Sequence, residues 1–129
     1  MKKLLFFAFF SFLLLSCHES LEERAAREAK EYTERCCPTP VINNTRTDSV
    51  SFVIEDKTYI YYCAFVDQVD DQKVVDQYHD ELHQGLYDNI AGNAGMQKFI
   101  DAGFRFVYIV HSDKNPQQVL FRDTIVVKK

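Results

Sequence analysis

Apolar residues are spaced differently in each stretch of this chain, and the spacing changes predict its elements. Leu4 to Leu15 is an apolar run of about twelve residues, interrupted only by Ser11. From Glu19 to Arg35, Leu21, Ala25, Ala29 and Tyr32 recur at three and four positions among charged residues, which predicts a helix that the Cys36-Cys37-Pro38-Thr39-Pro40 turn stops. Ser49 to Glu55 alternates Val50, Phe52 and Ile54 with Ser49, Ser51 and Val53. After Asp56-Lys57 the stretch Thr58 to Val66 is aromatic and β-branched, so the two read as a hairpin. The acidic loop Asp67 to Asp71 leads into a second helix with Val75, Tyr78, Leu82, Leu86 and Ile90 on one stripe. Gly92 and Gly95 break it, and a shorter turn carrying Met96, Phe99 and Ile100 runs to Gly103. Phe104 to His111 and Gln118 to Val127 then form two more strands around Ser112-Asp113-Lys114-Asn115-Pro116. The predicted order is α-β-β-α-β-β, an α+β fold with a four-stranded antiparallel sheet and two helices on one face.

The first apolar run is too short to cross a bilayer core and follows Lys2 and Lys3, as in a targeting segment. Its end, Leu14-Leu15-Ser16-Cys17, resembles the lipobox of bacterial lipoproteins. That resemblance implies a signal peptide over residues 1–16 and a single domain over 17–129, with Cys17 as the acylated first residue. The membrane would then be a partner through the lipid anchor on Cys17. His18, rather than aspartate, follows the cysteine, which leans toward the outer membrane, with the domain periplasmic or surface-exposed.

Removing Lys2 and Lys3 with the leader leaves 13 basic against 19 acidic side chains, a net charge of −6. A basic footprint for nucleic acid is absent, and a domain so charged is repelled by anionic lipid, which leaves the anchoring to the lipid. Cys36, Cys37 and Cys63 remain in an oxidising compartment. Adjacent cysteines pair only with strain, so the expected disulfide joins Cys63 to Cys36 or Cys37, closing a loop of ~27 residues that is worth roughly 3.5 kcal/mol in the chain-entropy estimate.

Candidate chemistry is sparse. His79 and His83 stand one turn apart on the predicted second helix, a spacing that can hold a metal. Asp80 follows the first histidine where a zinc-protease helix carries glutamate. His111-Ser112-Asp113 has the residue types of a hydrolase triad, but three consecutive side chains cannot converge in that geometry. No glycine-rich phosphate loop is present, and no cofactor is called for. Asp48-Ser49-Val50 and Asp123-Thr124-Ile125 resemble the O-glycosylation sequon of exported Bacteroidota proteins, which makes Ser49 and Thr124 candidate acceptors. Alternation sends Phe104, Phe106, Tyr108 and Val110 under the helices and Arg105, Val107, Ile109 and His111 to the other face. Leu120, Arg122, Thr124 and Val126 are expected on that open face too. Tyr62, Arg105 and Arg122 are therefore its expected contact residues.

The whole chain resembles the small lipoproteins of Bacteroidota. The features carrying the resemblance are the lipobox at Cys17, the helix running into Cys37-Pro38-Thr39-Pro40-Val41, the strand start Thr47-Asp48-Ser49-Val50, the run Tyr59-Ile60-Tyr61-Tyr62, and Ala102-Gly103-Phe104-Arg105-Phe106. It implies a fold and a compartment, not an activity. The reading reached from sequence is a cell-envelope binding or interaction module, not an enzyme, that contacts an envelope protein or glycan through the open face. Two alternatives stand beside it: a small metal-binding protein or enzyme using His79 and His83, and a structural envelope lipoprotein.

Overall fold

The computed structural model describes residues 19–128, so Cys17 and the leader lie outside the described residues. Helix α1 spans Leu21–Cys36, and strands β1 (Thr45–Val53) and β2 (Thr58–Phe65) follow as a hairpin. Helices α2 (Gln72–Gln77), α3 (His79–Ala91) and α4 (Gln97–Asp101) connect β2 to β3 (Arg105–Ser112), which turns back into β4 (Val119–Ile125). This is the α+β fold expected, with the second helix delivered in two pieces, α2 and α3, and the shorter turn after it as α4.

Local chemistry sets these boundaries. Ser20 caps α1 by accepting a hydrogen bond from the Glu23 amide, the Ser-x-x-Glu arrangement that meets the orphan donors of a first turn. Asp71 caps α2 in the same way through the Lys73 amide. Tyr78 leaves helical geometry at φ −105°, ψ 19°, which separates α2 from α3. Tyr78 is consequently half-exposed, while Val75 and Ile90 on the expected stripe are buried and Leu82 and Leu86 partly so. Gly103 closes α4 at φ +83°, where the Phe104 amide reaches back to the Phe99 carbonyl and glycine avoids the Cβ penalty of a left-handed residue.

The sheet order is β1-β2-β3-β4, and it is mixed rather than antiparallel. β1–β2 and β3–β4 are antiparallel, but the central pair β2–β3 is parallel, with Tyr59 opposite Phe106, Tyr61 opposite Tyr108 and Cys63 opposite Val110. Residues 66–104 are long enough to cross the sheet and return β3 in the direction of β2, which a parallel pair requires. Two bulges adjust the outer strands. Asp48 is the extra residue between Thr47 and Ser49 on β1. On β4 a slip opposite Val110 and His111 lets Leu120 as well as Phe121 be buried, which removes Leu120 from the open face where simple alternation puts it.

Both buried clusters lie on one face of the sheet. One joins Ala25 and Ala29 of α1 to Val50, Tyr59, Phe106 and Ile125, with Phe99 and Phe104 stacked 5.4 Å apart beside them. The other packs Val75 of α2 on Cys63, Phe65, Val110 and Phe121. The edge of β1 is held by α1: the Thr33 hydroxyl donates to the Val50 carbonyl and accepts from the Val50 amide, both at 2.8 Å.

Candidate functional site

Between α1 and α3 the helical layer does not close over the sheet. It leaves a cleft of about 510 Å³ whose floor is the middle of β1, β2 and β3. Ala29 and Tyr32 of α1 form one wall, and Leu86, Asn89 and Met96 form the other. Two alanines on the inner side of α1 let the helix sit close at its upstream end, and the larger Tyr32 stands at the mouth, half-exposed. Tyr61 and Tyr108 make the floor. Their rings stack at 4.6 Å between centroids and 11° between planes, because the parallel register sets them side by side on adjacent strands. Tyr59 continues the row 6.0 Å from Tyr61 and donates its hydroxyl to the Ala25 carbonyl. The hydroxyls of Tyr61 and Tyr108 have no hydrogen-bond partner among the described residues, and neither is sealed from solvent. Burial pushes the Tyr61 phenol up to about 12 and raises that of Tyr108 further, so both are neutral donors at any physiological pH.

Cys63 also reaches this floor, with its sulfur 3.8 Å from the Thr47 hydroxyl. Burial pushes its thiol up; the Thr47 contact opposes this, and the charges of Asp48 and Cys37 add to it. Cys36 is exposed and Cys37 half-buried at the end of α1, and all three sulfurs are thiols in this structure.

The opposite face of the sheet carries no helix among the described residues. Ser49, Tyr62, Ile109 and Arg122 form one cross-strand row on it, and Ser51, Ile60, Val107 and Thr124 the next. Tyr62, Arg105 and Arg122 therefore share this face as expected, with both arginines exposed. Thr124 is exposed on it and Ser49 half-buried. One end of the face is closed by ion pairs: Arg46 bridges Asp48 at 2.6 Å and Asp113 at 2.9 Å, and His111 Nε2 lies 2.6 Å from Asp48. Burial works to raise the Asp48 carboxyl, but hydrogen bonds from Arg46 and His111, with their charges, hold it below its ordinary value.

The two histidines singled out for metal binding are turned to different partners. His79 sets its ring edge against Phe121, 5.2 Å away between centroids, and His83 Nδ1 meets the Asp123 carboxylate within hydrogen-bond distance. Among the described residues no three His, Cys, Asp or Glu side chains converge as a metal site would need. His111, Ser112 and Asp113 diverge as well: the ring turns to Asp48, the Ser112 hydroxyl accepts from the Asn115 amide, and Asp113 pairs with Arg46.

What the geometry defines is a helix-backed, four-stranded mixed sheet with one open cleft and one uncovered face. The chain belongs to the family described as domain of unknown function DUF8479, which matches residues 20–121. No curated protein matches it. Two solved structures share the fold. One is a Pseudomonas aeruginosa protein described as secreted, at 13% identity and TM-score 0.62, covering 83% of this chain and 94% of that one. The other is a pilotin of the Vibrio vulnificus type 2 secretion system, at 11% identity and TM-score 0.60, covering 82% and 87%. No helix among the described residues is long and apolar enough to cross a membrane.

Proposed function

We propose that this protein is a binding module of the cell envelope that receives an apolar segment of another envelope protein in the cleft between α1 and α3. The observation that carries this reading is the cleft itself: about 510 Å³ of open volume over a floor of stacked tyrosines. A volume of that size falls in the range of specific ligand sites, ~300–1,000 Å³, with apolar walls and few polar groups. Likeness to a secretion-system pilotin supports an interaction role over a catalytic one. Cys17 would tether the module through lipid, and in an oxidising compartment Cys63 would pair with Cys36 or Cys37.

The test is site-specific photocrosslinking in intact envelopes. A photoreactive residue replaces Asn89, exposed at the cleft mouth, or Arg122, exposed on the open sheet face. The expected result is one discrete protein adduct from position 89. Adducts from position 122 with none from 89 would shift the contact to Tyr62, Arg105 and Arg122 and overturn the cleft reading.

A further inference from the structure

The floor of the cleft carries chemistry that an apolar ligand alone would waste. Tyr61 and Tyr108 hold two donors with no protein partner, whereas Tyr59 in the same row has spent its hydroxyl on Ala25. A purely hydrocarbon occupant would strip water from both phenols and leave them unpaired, an unfavourable exchange. A carboxylate would enter with no cation to receive it: among the described residues the only charged one on the lining is Glu28, itself paired with Arg24 at 2.8 Å. Both rings stand on the same face of neighbouring strands in register, nearly parallel with centroids 4.6 Å apart, and both residues line the cleft. A single carbonyl oxygen carries two lone pairs and can accept from two such donors at once.

We propose that Tyr61 and Tyr108 together read one neutral carbonyl oxygen, and that the segment entering the cleft carries it as the side-chain amide of an asparagine or glutamine among apolar residues. This rests on the cleft reading above and adds the specificity element to it. The pair acts as a two-pronged donor. It exists only because β2 and β3 run parallel in the register that sets residue 61 beside residue 108.

The probes are two capped peptides, acetyl-Lys-Leu-Leu-Gln-Leu-Leu-Lys-amide and its counterpart with methionine for glutamine, which keeps length and the backbone carbonyls but lacks the side-chain carbonyl. Calorimetric titration should show the glutamine peptide binding the wild-type domain roughly 10-fold more tightly. Tyr61→Phe with Tyr108→Phe should erase that preference while leaving the melting temperature unchanged. Equal affinities for the wild type, a preference that survives the double variant, or no binding of either peptide would each overturn the inference. So would methyl decanoate binding with the same dependence on the two hydroxyls and displacing the peptide, since the carbonyl would then be a lipid ester. Crosslinking at Asn89 stands apart from these outcomes: an adduct there with equal peptide affinities means that the cleft is used and the tyrosine pair does not select.

Discussion

Replacing Thr33 by valine removes the two hydrogen bonds that dock α1 on the edge of β1 and changes almost nothing else, since valine has nearly the same volume. Each bond is 2.8 Å long, and both end on the backbone of Val50, a buried residue in the strand beside the cleft. A hydrogen bond of this kind contributes about 1 kcal/mol net, and a backbone amide and carbonyl left poorly solvated add to the loss. The variant should therefore lose roughly 2–3 kcal/mol, a large share of the ~5–15 kcal/mol that holds a domain of this size, and melt about 10 °C lower. Urea unfolding measures it: the midpoint should fall with an unchanged slope, because the exposed area on unfolding is the same. Thr33→Ser, which keeps the hydroxyl, should lose less than half as much. If valine proves no worse than serine, or leaves the midpoint in place, the Thr33 bridge does not hold α1, and the argument that α1 is a fixed wall of the cleft fails with it.

Two further outcomes are expected. The Asp48 carboxyl sits below its reference value of 3.8 in the folded state, so the stability it adds is full above that value and is lost as pH falls through the folded one. Asp48→Asn should flatten the decline of the urea midpoint between ~pH 5 and pH 3, and identical slopes for the two proteins would rule out the Arg46–Asp48–His111 cluster as a source of acid sensitivity. Cys17→Ala should release the protein from the membrane fraction and abolish incorporation of labelled fatty acid; continued incorporation would refute lipidation at that residue.

Much of this fold is legible in the sequence because the signals are local. The cap Ser20, the stripe through Val75 and Ile90, the glycine at 103 and the alternation that splits Phe106 from Arg105 depend only on neighbours within a few positions. What the sequence leaves open is register and direction. Nothing near Tyr61 or Tyr108 states that their strands run parallel, so two tyrosines 47 positions apart in the chain give no hint of a stacked pair. The bulges behave alike: the extra residue at Asp48 and the slip before His111 are fixed by partners across the sheet, and the second moves Leu120 from the expected open face into the core. The histidines at 79 and 83 obey the helical spacing that suggested a metal, yet Phe121 and Asp123 on β4 take one each. The open face is legible in the alternation and the cleft is not, because a cleft is made where helices fail to meet, and packing of that kind has no sequence period.

The segment that leaves α1 settles how copies of this domain could join. Beyond the Thr33 bridge, the Thr39 amide donates to the Thr47 carbonyl and the Thr47 amide to the Thr39 hydroxyl, each at 3.0 Å, so the chain lies along the outer side of β1 as a guard. Among the described residues β4 has only side-chain contacts on its outer backbone, with Gln72 Nε2 donating to the Leu120 carbonyl and the Thr124 amide donating to the Asp123 carboxylate. A sheet with one guarded border can extend in one direction only. Two copies meeting β4 to β4 about a two-fold axis would make one eight-stranded sheet with both ends closed, and a third copy would find no strand to join.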